Sequence, residues 1–255
     1  MTRQAAALNI FLVYVLLFVS GTWRYNLSPD KYLILAFILV FIIWLLFTDR
    51  KVSDRFLLYT ILFCGFLIAL HLYTGGSLTL PSIVSTTMKL VLAYLVIRTV
   101  DEHFVDTYIN VIVFLAVFSL FGYFTDTFNV LDGIVRHLPR VGEMGYEGIL
   151  YLYRFPWHIE RNNSIFYEPG AYQGFLNAAL FILLFAETRF SPRRKLVYVA
   201  LLVATLVTTF STTGLLIFAV MIGLFMYRST LVTAVTKLKI IGVLAVVVGV
   251  FAGQF

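Results

Sequence analysis

Charge is scarce in this chain. Asp, Glu, Lys and Arg make up 13% of its 255 residues, about half their share in soluble domains. With 61% of residues hydrophobic, against about 45–50% in soluble domains, an ordinary soluble globular fold is excluded. Cysteine is nearly absent. Cys64 stands alone within an apolar run, so an intrachain disulfide is impossible and a structural thiol is the plain reading. No aspartate pair and no histidine spacing suits a divalent ion, so neither a metal nor a cofactor is expected. Only Arg3 precedes the first apolar run, and no small-residue cleavage site follows it. That run reads as a retained span rather than a signal peptide. Internal repeats and low-complexity tracts are missing too.

What is present is hydrocarbon in long runs. Apolar segments occupy roughly 5–21, 32–47, 56–73, 81–98, 104–124, 169–186, 196–210, 213–227 and 238–255. Most approach the ~20 residues that a membrane-crossing helix requires. The pattern predicts an all-α polytopic membrane protein of about nine transmembrane helices, forming one domain over 1–255. The net charge of +6 is then no sign of nucleic acid, because the basic residues lie between spans, where they set topology. With the N-terminus in the cytoplasm, twelve of the nineteen Lys and Arg fall inside and six outside, and Lys89 alone falls within a span. This asymmetry fits the positive-inside rule.

That topology makes 125–168 a large outer loop, long for a connection without function. Apolar residues at 128, 131, 134, 135 and 138 suit a short amphipathic helix on the membrane surface. The run Tyr151–His158 is aromatic and basic, a composition that favours the headgroup level. The stretch 196–227 would reach about 48 Å as one helix, against a core of about 30 Å. Two short spans broken at Ser211-Thr212-Thr213-Gly214 resolve this, and a turn at that depth must line protein or a wet cavity. The ninth segment stops at Phe255 with no polar tail and reads as a truncated end.

The polar residues concentrate in Arg161-Asn162-Asn163-Ser164-Ile165-Phe166-Tyr167-Glu168-Pro169-Gly170. Pro169 fits the first position of a helix, which makes Glu168 its cap. A carboxylate there either compensates the helix dipole or faces a cavity as a base or as a partner of Arg161. Lys89 lies too deep to reach an interface along its stem, so a cavity role is expected, paired with a phosphate or with Glu168.

Arg161 to Gly170, followed by a long span, the basic turn Arg193-Arg194-Lys195, another span and then Phe210-Ser211-Thr212-Thr213-Gly214, resembles the O-antigen polymerase and ligase superfamily. The family pattern is an arginine, a small residue, Phe, Glu-Pro-Gly and, roughly forty residues on, Ser-x-x-Gly. Arg161, Phe166, Glu168, Pro169, Gly170, Ser211 and Gly214 match it. Ser164 stands where a glycine is common. The resemblance spans roughly 80–230, and the chain stops before the second large outer loop that many members carry.

The resemblance implies glycosyl transfer at the outer face of the bacterial inner membrane. A glycan leaves its undecaprenyl-diphosphate carrier and joins an acceptor hydroxyl, in a repeat-unit polymerase more readily than in a ligase. Arginine suits the departing diphosphate, so Arg161 and Arg154 are the candidate cations. Glu168 or His158 would be the base. Asn163, Ser211, Thr212 and Lys89 are candidate substrate contacts. The implied partners are the lipid-linked oligosaccharide, membrane lipid and other polysaccharide-assembly proteins, without nucleic acid. The rival class is a transporter or channel without chemistry. It would spread polar residues over several spans at the midplane, and only Lys89 fits that.

Overall fold

In a computed structural model of the chain the described residues are 3–73, 79–128, 130, 148–149, 152–153, 160–228 and 242. They are overwhelmingly helical. The order is α1 (Arg3–Val19), α2 (Trp23–Asn26), α3 (Pro29–Phe47), α4 (Asp54–Tyr73), α5 (Leu80–Val100), a 3-10 turn (Asp101–His103), α6 (Phe104–Thr127), α7 (Pro169–Phe185), α8 (Pro192–Thr208) and α9 (Thr212–Arg228). Between α6 and α7 a two-residue strand, Gly148–Ile149, pairs antiparallel with Leu152–Tyr153. Most of the surface helix expected from residue 128 to 138, and most of the aromatic stretch 151–158, lie outside the described residues. So does the ninth apolar segment, apart from Gly242.

Three stretches among the described residues are long and apolar enough to cross a membrane: Pro29–Phe47, Asp54–Tyr73 and the 46-residue run Leu80–Thr125. α7 and α9 are apolar but hold 17 residues each, or about 25 Å of helix against a core of about 30 Å. The helical, membrane-type architecture therefore stands, with fewer helices of full spanning length than the nine apolar segments.

The described chain forms two compact units, Met1–Thr107 and Tyr108–Phe255. In the first, α5 is the hub and packs on α1, α3 and α4. Leu33, Ala36, Val40 and Trp44 recur at helical spacing and bury one stripe of α3, which is what a helix with a single packed face requires. Thr22 starts the short α2 by accepting a hydrogen bond from the Tyr25 amide at 3.3 Å. In the second unit α7 packs on both α8 and α9. Its carbonyl at Phe175 accepts a hydrogen bond from Tyr108 Oη at 3.0 Å, which ties α6 to it. α8 is pinned to α6 near its start, where Arg194 Nη2 and Tyr198 Oη both donate to Asn110 Oδ1 at 3.0 and 2.9 Å.

The break expected at 211–214 falls between α8 and α9. Phe210 takes φ 45°, a left-handed conformation that no helix continues through. Ser211 then starts α9, and its Oγ accepts a bond from the Gly214 amide at 3.4 Å.

Candidate functional site

The segment 160–168 and the starts of α7 and α9 form one constellation within the second unit. Its centre is Asn162, which has no exposed surface. The Asn162 amide donates to the Thr208 carbonyl at 2.8 Å. Its Nδ2 donates to Ser119 Oγ at 3.2 Å and Thr208 Oγ1 at 3.0 Å, while its Oδ1 accepts from the Ser164 amide at 3.1 Å. Ser119 in turn bonds Tyr172 Oη at 3.0 Å. One amide side chain thus ties the segment to α6, α7 and α8. Buried bonds of this kind contribute about 1 kcal/mol each, and leaving one unmade costs more than that.

Asn163 is 1% exposed and braces the turn internally, with Nδ2 donating to the Phe166 carbonyl at 2.9 Å. Phe166 is fully buried and stacks on Tyr172 and Phe175 with ring centres 5.3 and 4.7 Å apart. Ser164 takes φ 50°, where an L residue carries a steric penalty that glycine avoids. Its hydroxyl is buried beside the Tyr172 hydroxyl, and Asn163 Oδ1 is buried with no hydrogen-bond partner among the described residues.

The ionisable groups stand at the rim of this plug. Arg161 is half-buried and Glu168 is exposed. Glu168 occupies the cap position of α7 with extended backbone (φ −145°, ψ 155°), Pro169 follows at the first helical position, and the carboxylate makes no capping hydrogen bond. The side chain bends back over the helix start, with Oε1 3.5 Å from where a Cβ on Gly170 would sit. A negative charge there is favoured by the helix dipole, and the carboxylate is left available to solvent or ligand.

Two turns below, α7 and α9 touch through a polar contact. Asn177 Nδ2 donates to the Gly214 carbonyl at 3.0 Å and to Gln173 Oε1 at 2.9 Å. A Cβ at Gly214 would lie 2.7 Å from Gln173 Oε1 and 2.9 Å from its Cβ, so only glycine permits this approach. The Ser211-x-x-Gly pattern therefore has a physical content in this chain: the serine caps a helix and the glycine admits the neighbouring one. Sequence reasoning did not single out Gln173 and Asn177. Their four-residue spacing in an otherwise apolar helix was the available signal. Beneath them an apolar groove of about 370 Å³ runs between the two helices, lined by Gly174, Ala178, Phe181, Ile217, Val220 and Leu224 among others.

Of the remaining expected site residues, Ser211 and Thr212 are half-buried at the start of α9. Arg154 and His158 lie outside the described residues. Lys89 belongs to the first unit, half-buried on α5, with its ammonium 4.8 Å from the centre of the Tyr25 ring. A cation over an aromatic face gains about 0.5–2 kcal/mol, whereas a lysine at the middle of a membrane helix costs about 2.5–3.5 kcal/mol on insertion scales. No family model, curated protein or solved structure matches the chain.

Proposed function

We propose that the protein is a membrane glycosyltransferase of bacterial surface-polysaccharide assembly. It moves a glycan from an undecaprenyl-diphosphate carrier to an acceptor hydroxyl, in a repeat-unit polymerase more readily than in a ligase. The observation that carries the reading is the meeting of two distant motifs. The Arg161–Gly170 segment and the Ser211–Gly214 turn assemble at one end of α7 and α9, linked by Asn162 to Thr208 and by Asn177 to Gly214. The uncharged residues between them are buried as a plug, and a cation and a carboxylate are left at its rim. Arg161 would offset charge on the departing diphosphate, and Glu168 would take the acceptor proton. Arg154 and His158 would join them from the outer loop. The left-handed backbone at Ser164 also gives a reason for the glycine that the resembled family favours there.

In this reading all nine apolar segments cross the inner membrane with the N-terminus in the cytoplasm. The shorter ones cross where the bilayer thins around the protein. The groove between α7 and α9 offers apolar surface beside the site, on which a lipid tail can lie. Arg161→Ala and Glu168→Ala should each abolish chain elongation in cells, read as loss of long polymer on a gel. Membrane insertion and protein level should stay normal. Long polymer from both variants would end the assignment.

A further inference from the structure

The connection between α7 and α8 carries charge that the transfer reading leaves unused. Arg189, Arg193, Arg194 and Lys195 stand there against a single acid, Glu187. Arg194 differs from an ordinary surface cation, because it is exposed and yet held in place. Its Nε donates to Tyr198 Oη at 2.8 Å and its Nη2 to Asn110 Oδ1 at 3.0 Å. Tyr198 Oη donates to the same Asn110 oxygen at 2.9 Å, so the two anchors also fix each other. The guanidinium carbon lies 4.9 and 5.1 Å from the centres of the Phe190 and Tyr198 rings. All of these partners are neutral. No carboxylate among the described residues pairs with Arg194, and Glu187 makes no ion pair among them either. Rings and amides attract a cation without neutralising it, so an oriented positive charge is left facing outward.

A guanidinium has five N–H donors, and two of those on Arg194 are engaged. The rest suit a phosphate, which arginine grips through two oxygens at once. The fold has already ordered this side chain, so binding gives up little freedom. The surroundings say what carries the phosphate. Arg194 stands in the first turn of α8, and Leu196 and Val197 follow at once, 71% and 62% exposed. Charge gives way to bare hydrocarbon within two residues, which is the profile of a bilayer surface at the end of a membrane helix. Phe190 and Tyr198 supply the aromatic rings that settle at headgroup depth.

We propose that Arg194, aimed by Asn110 and Tyr198, binds the phosphate of an anionic phospholipid whose chains lie along Leu196 and Val197. Arg193 and Lys195 strengthen the local field without fixing the geometry. The site lies at the opposite end of α7 from Glu168, and the inference is independent of the transfer reading.

The test uses the full chain in neutral detergent. Phosphatidylglycerol and phosphatidylcholine are titrated separately, and bound lipid is counted by native mass spectrometry. Wild type should hold phosphatidylglycerol about tenfold more tightly than phosphatidylcholine. Arg194→Gln should abolish that preference, and Arg194→Lys should lose most of it, because an ammonium lacks the planar fork. Asn110→Leu keeps every charge in place but releases the guanidinium, and should weaken phosphatidylglycerol binding about fivefold. Tyr198→Phe keeps the ring, should weaken binding about threefold, and carries the test if Asn110→Leu does not fold. Arg193→Gln should cost less than about twofold. The proposal is overturned if wild type shows no preference, if Arg194→Gln keeps it, or if the folded Asn110 and Tyr198 variants bind as wild type does. Equal losses from Arg193→Gln and Arg194→Gln would also overturn it, as the mark of a diffuse charged face. So would displacement of the lipid by inorganic phosphate at equal concentration, which would mean that the chains contribute nothing.

Discussion

Helices α4 and α7 look alike as strings of letters and behave as opposites in the fold. α4 has 20 residues, and none is buried. Leu58, Ile61, Leu62 and Phe66 all stand more than half exposed on it. α7 is shorter, at 17 residues, yet buries eight of them: Pro169, Tyr172, Gln173, Leu176, Asn177, Ala179, Leu180 and Leu183. Hydrophobicity does not separate the two, because in a membrane the lipid is as apolar as any core. What separates them is polarity at helical spacing. Gln173 and Asn177 sit on the packed side of α7, where Asn177 bonds to Gln173 and across to Gly214 on α9. α4 meets α5 at Cys64, 3.4 Å from Thr87 Oγ1. In such a chain the polar residues mark where protein meets protein, and the apolar ones mark what is left for lipid.

Paired substitutions put this contrast at risk. The largest effect is expected from phenylalanine. Phe166→Ala removes a fully buried ring stacked on two others and should destabilise by about 3–5 kcal/mol. Phe66→Ala in α4, where the ring is 61% exposed, should stay within about 0.5 kcal/mol of wild type. Unfolding in a series of denaturing detergent mixtures measures both, and equal losses would erase the distinction between the helices.

Glycine gives the next pair, with opposite signs. Gly214→Ala forces a Cβ to 2.7 Å from Gln173 Oε1, so α7 and α9 must separate, at about 1–3 kcal/mol. Gly65→Ala meets nothing within 4 Å and should stabilise α4 by about 0.5–1 kcal/mol through helix propensity. Melting temperatures of the two variants should therefore move apart from wild type in different directions, and a common direction would contradict the close approach at Gly214.

The smallest effect sharpens the picture of the 160–168 segment. Ser164→Gly relieves a left-handed φ of 50° and removes a buried hydroxyl that lies beside Tyr172. The gain is offset in part by the greater freedom of glycine in the unfolded chain. A net stabilisation of about 1 kcal/mol is expected, and Ser164→Val at the same position should lose stability, because a β-branched side chain fits this backbone worst.

Much of the fold was legible before any coordinates. Long apolar runs announced the helices. Pro29, Pro81, Pro169 and Pro192 stand within the first turns of α3, α5, α7 and α8, where a missing N–H does no harm. The length argument separated α8 from α9 and placed the break within a few residues of where it lies. The candidate site was legible as an address rather than as an arrangement. Asn163, expected at a substrate, braces its own turn. Asn162, the residue holding the segment together, stood within the polar stretch but was given no role, because an amide in a polar loop does not show what it will bond. Gln173 and Asn177 were hidden inside a span whose hydropathy they barely lower.

The sequence by itself determined the helical, membrane-type class, the position of the helix starts and the break near residue 210, because backbone satisfaction in an apolar medium and the properties of proline act locally. Only the tertiary structure decided which helices pack and which face outward, that Asn162 bridges to Thr208 and Ser119, and that Gly214 lies against Gln173. Those facts depend on contacts between residues tens of positions apart, and a polar side chain does not carry in its own neighbourhood the identity of the partner that will satisfy it.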